Sequence, residues 1–171
     1  MLRFKKGDHI LYGISGVCLI EDVRRDTLSK EKKEEYYVLK PVAQRGATIL
    51  VPTDNETLTA RMSPLPSREE LDSLLVSARQ QTLPWIDDRK ERGARFQLAV
   101  KRSDLEELLC LVSCIYQKRQ ELTAAGKKLS ASDEAILRRA ESLVENQMGF
   151  VLALDGPQVG EYIRERMDVE S

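Results

Sequence analysis

The sequence predicts an α+β protein: a small β-barrel in front of a compact, all-helical domain of about five helices. Three observations carry this. Residues 1 to about 60 hold short runs rich in Val, Ile, Tyr and Thr, bounded by Gly, Pro, Asn and Asp. From Ser67 onward the apolar period changes from two to 3.6. Between the two lie Pro64 and Pro66, which extend neither element. At 171 residues the chain suits one domain or two small ones. The division expected here is 1–62 and 63–171.

Each front strand follows from its own signals. Gly7-Asp8 turns the charged lead-in towards His9-Ile10-Leu11-Tyr12, and Gly13-Ile14-Ser15-Gly16 is a second turn. Val17-Cys18-Leu19-Ile20 then runs towards Val23, Tyr36 to Val42 is a third strand, and Ala47 to Val51 a fourth, ended by Pro52. Strands this many and this short bury one face by curling into a small barrel. The charged stretch Ser29 to Glu35 reads as a solvated hairpin tip.

Helix signals are equally local. Ser67 with Glu70 forms a capping box ahead of Leu71, Leu74, Leu75 and Ala78. Pro84 opens a second helix towards Val100, and Ser103 with Glu106 caps a third that stops at Gly126. Ser130 with Asp133 starts a fourth, and a last short helix follows Asp155-Gly156-Pro157.

Composition excludes several functions. No apolar run approaches the ~20 residues of a membrane span, and the N-terminus does not read as a secretory signal. Three cysteines without a CxxC pair, and a single histidine, argue for reduced thiols in a cytoplasm and against a metal site. Gly13-Ile14-Ser15-Gly16 joins two strands, so it is neither a P-loop nor a dinucleotide fingerprint. No catalytic cluster stands out, and no cofactor, membrane or small-molecule substrate is expected. A net charge of −1 rules out a uniformly basic coat, so any nucleic-acid contact comes from a local patch.

Arg79 to Arg102 is such a patch. It carries seven bases (Arg79, Arg89, Lys90, Arg92, Arg95, Lys101, Arg102) against Asp87, Asp88 and Glu91, a local charge of +4. The only tryptophan, Trp85, stands where its helix is expected to start. On the expected helix Trp85, Arg89, Arg92 and Phe96 share one face, an aromatic plate beside two guanidinium groups. The bland alternative keeps Trp85 in a core with its arginines snorkelling to water. In the front domain, Thr48-Ile49-Leu50-Val51-Pro52 reads as an edge strand, because proline lacks an N–H. Such an edge accepts a partner's strand or is closed by a neighbour.

Taken together, these residues resemble the CarD-like bacterial transcription regulators. The resemblance runs through Phe4-Lys5-Lys6-Gly7-Asp8, His9 to Tyr12, Gly16-Val17, Tyr37 to Val42 and Ile49 to Asn55. It continues through Trp85 to Arg92 with Phe96, Gly126 to Glu134, and Ala140-Glu141. It implies that 1–62 is a Tudor/SH3-like RNA polymerase interaction domain shared with transcription-repair coupling factors. That domain would bind the polymerase β subunit through Thr48, Ile49, Leu50, Val51 and Pro52. The helical domain, 63–171, would then contact promoter DNA near the upstream edge of the melted bubble and stabilise the open complex. Trp85 would wedge into the minor groove, with Arg89, Lys90 and Arg92 holding the backbone. Asp87 and Asp88 stand where other branches of the family carry two bases. The expected protein is non-enzymatic, cytoplasmic and nucleoid-associated, and its barrel edge could also pair two copies. The alternative is a protein–protein adaptor whose helical domain is structural or dimerising, without direct DNA contact.

Overall fold

The computed structural model describes residues 3–29, 32–81 and 83–167. The chain divides into two compact units, Met1–Leu65 and Pro66–Ser171.

The first unit is an antiparallel sheet of β1 (His9–Tyr12), β2 (Val17–Ser29), β3 (Lys32–Pro41), β4 (Ile49–Pro52) and β5 (Met62–Pro64), in the order β4-β3-β2-β1-β5. A 3-10 turn, Gly13–Ser15, joins β1 to β2, and Gly16 at φ +71° reverses the chain so that Tyr12 N–H meets its carbonyl at 2.9 Å. Ile10, Tyr12, Cys18, Ile20, Tyr37, Leu39, Val51 and Met62 form the core on one face. Ile20 opposes Leu39 and Asp22 opposes Val38, so Glu21 is an extra residue in β2. That bulge bends the strand and moves the inward phase from Ile20 to Val23, which packs on the same core.

Several expectations are corrected here. The sheet is open: no ladder joins β4 to β5 among the described residues, and a one-turn helix α1 (Glu56–Thr59) carries the chain from one edge to the other. Two edge strands of four and three residues are too short for their ladders to reach round and meet. The first unit runs to Leu65 rather than 62, because Ser63 and Pro64 pair with Leu11 and Ile10. Neither α1, barely one turn, nor β5, three residues long, is long enough to repeat a period and so to be legible. The expected hairpin tip at Ser29 to Glu35 is partly ladder, since Arg25 opposes Glu35 and binds its carboxylate at 3.0 Å. Residues 30 and 31 of that stretch lie outside the described residues.

The second unit holds α2 (Arg68–Gln80), α3 (Arg89–Arg102), α4 (Leu105–Ala124), α5 (Ala131–Leu152) and α6 (Gly156–Met167). Ser67, Asp88, Asp104 and Ser130 cap α2 to α5, each accepting the N–H three residues on. The Ser67 and Ser130 caps are as expected, but α4 is capped by Asp104, not Ser103. Ser103 instead ends α3 in the left-handed region at φ +53°, and Gln147 Nε2 donates to its carbonyl at 3.2 Å. Leu71, Leu75, Phe96, Leu108, Leu111, Ile115, Leu137 and Met148 are fully buried at the centre. At the end of α5 the chain turns within van der Waals reach of Gly149, whose added Cβ would lie 2.8 Å from Leu154 O.

The second helix starts at Arg89, five residues later than expected, and Leu83 to Asp88 is extended or bent chain. Two local forces fix that start. The Asp88 carboxylate captures Glu91 N–H at 2.8 Å, and Arg92 Nη1 takes the carbonyls of Ile86 and Asp87 at 2.9 and 3.2 Å. Carbonyls held by a guanidinium on the helix side are not free to begin an earlier turn.

Candidate polymerase-binding edge and nucleic-acid interface

In the first unit, β4 ends the sheet and pairs with β3 alone among the described residues, through Ile49↔Leu39, Leu50↔Val38, Val51↔Tyr37 and Pro52↔Tyr36. Thr53 N–H donates to Glu35 O at 2.9 Å, which sets the phase of the ladder. By antiparallel alternation, residues 49 and 51 then exchange hydrogen bonds with β3, and the N–H and C=O of Leu50 point away from the sheet. The Leu50 side chain is 52% exposed, while Val51 is buried against the core. Pro52 closes this edge, with its carbonyl turned to Asn55 N–H at 3.2 Å. Thr48 precedes the strand, is exposed, and takes a hydrogen bond from Lys40 Nζ. No residue from Ala47 to Pro52 is charged, so this edge lacks the lysine or glutamate that commonly blocks strand addition.

In the second unit the basic island separates into two groups. Arg95 and Arg102 both face Glu107, at 3.5 and 3.6 Å, and Arg92 is inside the protein. Arg79, Arg89, Lys90, Lys101 and Arg102 are exposed, Arg102 while paired to Glu107. Of the four expected DNA-contacting residues, Arg89 and Lys90 therefore stand at the surface, on the first turn of α3.

Arg92 does not. It is 6% exposed, and its Nε and Nη2 each meet one carboxylate oxygen of Asp133 at 3.1 Å, 41 residues away on α5. With Nη1 on the two loop carbonyls, its donors face the protein, and no phosphate can reach it without displacing Asp133. The expectation that Arg92 holds a phosphate is therefore corrected: it ties the Leu83–Asp88 segment to α5. Ser130 Oγ donates to the same Asp133 carboxylate at 2.7 Å, so the α5 cap is part of the tie.

Trp85 lies ahead of α3, so the common helix face expected for Trp85, Arg89, Arg92 and Phe96 does not exist as such. Tertiary packing nevertheless brings three of the four together. Trp85 is half-buried, edge-on to Phe96 at 5.9 Å, with the Arg92 guanidinium 4.4 Å from its ring centroid. A further cation, Lys118 of α4, places Nζ 5.5 Å from the same ring. Lys118 was not singled out by sequence, because 33 residues separate it from Trp85 and its helix showed only a core stripe. Arg92 is worth ~0.5–2 kcal/mol to the ring as a cation–π partner, which fixes the plate rather than leaving it loose. Asp88 is engaged as the α3 cap, and Asp87 is exposed.

The thiols offer no chemistry of their own. Cys18, Cys110 and Cys114 are buried, and burial raises all three, Cys18 to about 11. A thiol held protonated is not a nucleophile at neutral pH. Among the described residues no helix is long and apolar enough to cross a membrane.

Comparison with known protein families identifies residues 4–65 as a CarD-like/TRCF RID domain. The match covers about a third of the chain and ends with the first unit. A match to this domain family supports a polymerase-interacting role for the front unit.

Proposed function

We propose, from a front unit that is a CarD-like/TRCF RID domain, that this protein is a non-enzymatic transcription regulator bridging RNA polymerase and promoter DNA. β4 docks on the polymerase β subunit by strand addition, with the outward N–H and C=O of Leu50 supplying backbone hydrogen bonds and its side chain an apolar contact. The helical unit presents Trp85 to the upstream edge of the melted bubble, where an aromatic wedge is accommodated by unstacked base pairs. Arg89 and Lys90 hold phosphates beside it, and Arg92 positions the wedge from within.

The observation that carries this reading is the Trp85 site: a half-buried aromatic plate with cations around it, in one chain with a match to a polymerase-interacting domain. The mechanism is energetic. A protein that binds the melted complex better than the closed one shifts that equilibrium by the difference in affinity. Its DNA affinity alone is weak, and tethering through β4 supplies the effective concentration.

Half-burial of Trp85 favours a second reading, an adaptor whose helical unit is structural. The two part in one assay: open-complex lifetime with the cognate polymerase, comparing wild type, Trp85→Ala and Leu50→Glu, all shown to be folded. The bridging role expects a longer lifetime with wild type that both variants abolish, Leu50→Glu alone losing polymerase binding. An unchanged lifetime with Trp85→Ala at intact polymerase binding leaves the adaptor.

A further inference from the structure

Lys118 stands apart from the basic island in sequence and beside its tryptophan in space. Its ammonium is 5.5 Å from the Trp85 ring centroid, its side chain is 28% exposed, and its ion pair is with Glu121 at 3.6 Å on the same helix. Glu121 is 61% exposed, and an i,i+3 pair of that kind holds a lysine by only a few tenths of a kcal/mol. The ammonium is therefore held near the ring and free to exchange its carboxylate for another anion. Arg92 shares the ring but is neutralised by the buried Asp133, whereas the carboxylate paired with Lys118 among the described residues is the exposed Glu121.

We infer that Lys118 is a phosphate-contacting residue of the Trp85 site. This rests on the DNA-contacting reading above and gives that site a second bank. Arg89 and Lys90 come from the first turn of α3, while Lys118 comes from the middle of α4. A wedge entering a groove is bordered by two sugar–phosphate strands, and cations on two separate helices fit that need better than one cluster does. An ammonium on a four-carbon stem suits the task as a mobile point charge.

The test is the salt dependence of binding by the full chain to a 30-base-pair duplex with a short mismatched bubble, followed by anisotropy to high protein concentration. With Arg89, Lys90 and Lys118 each neutralising one phosphate, the log–log slope for wild type is about −2.7. Lys118→Gln is expected to reduce that slope by about 0.9 and to weaken binding on the order of tenfold at 50 mM salt. Lys118→Arg keeps the slope. If Lys118 merely steadies the tryptophan, Lys118→Gln shifts Trp85 emission and weakens binding at every salt concentration with the slope unchanged, which overturns the inference. A wild type with no salt-dependent binding overturns the DNA-contacting reading and this inference together. A wild type with the full slope that Lys118→Gln retains overturns this inference alone.

Discussion

Removing the Asp133 carboxylate tests how the Trp85 site is held. Asp133→Ala leaves the Arg92 guanidinium, 6% exposed, without the two oxygens that its Nε and Nη2 meet at 3.1 Å. Breaking a buried ion pair from one side costs ~3–5 kcal/mol, because the remaining charge is uncompensated. Ser130 Oγ also loses its acceptor at the α5 cap, which adds to the cost. Against a domain stability of ~5–15 kcal/mol that is a large fraction, yet a folded variant is expected. The assay is urea unfolding followed by circular dichroism and by fluorescence, since Trp85 is the only tryptophan and reports this segment directly. The expected result is a loss of at least 3 kcal/mol by circular dichroism on the scale of buried-pair deletions, with Trp85 emission red-shifted in the native baseline. Arg92→Met combined with Asp133→Leu should recover part of the loss, since an apolar pair of similar volume replaces the buried charges while Ser130 Oγ and the carbonyls of Ile86 and Asp87 still lack their partners. A loss below ~1 kcal/mol for Asp133→Ala would refute the reasoning, because that is the worth of a surface pair.

Two further perturbations test the packing of each unit. Cys18 is raised to about 11 by burial, from an ordinary 9.0, so the folded state holds its proton more tightly than the unfolded chain. Its contribution is whole below pH 9 and is lost as pH rises from 9 to 11, at ~1.4 kcal/mol per pH unit. Chemical denaturation across that window should show a steeper decline for wild type than for Cys18→Val, which keeps only the raised Cys110 and Cys114, and parallel curves would sink the claim. Gly149→Ala gains ~1 kcal/mol in helix propensity but sets a Cβ 2.8 Å from Leu154 O, a backbone atom that cannot turn aside. The clash wins, with an expected net loss of ~1–3 kcal/mol, and a melting temperature at or above wild type contradicts it.

Much of the fold was legible because its causes are local. The Ser67 and Ser130 caps needed only a side chain and an N–H three residues on, and the apolar stripes of α2, α4 and α5 needed only a period. The edge position of β4 was legible in Pro52, whose missing N–H is a property of the residue itself. Closure of the sheet was not, since it depends on whether two short strands at opposite ends of the order meet.

The candidate sites divide along the same line. Sequence by itself determined that a lone tryptophan lies within a basic stretch, that Arg89 and Lys90 belong to a helix, and that an uncharged strand ends at Pro52. Only tertiary structure decided which cations of that stretch are available. Glu107 draws in Arg95, and Asp133 takes Arg92 across 41 residues. Tertiary structure alone likewise brought Lys118 to the indole from another helix. Sequence gives charge its sign and its place along the chain. Whether a charge meets a carboxylate inside or a phosphate outside depends on distances of a few ångströms, and those exist only once the helices have packed.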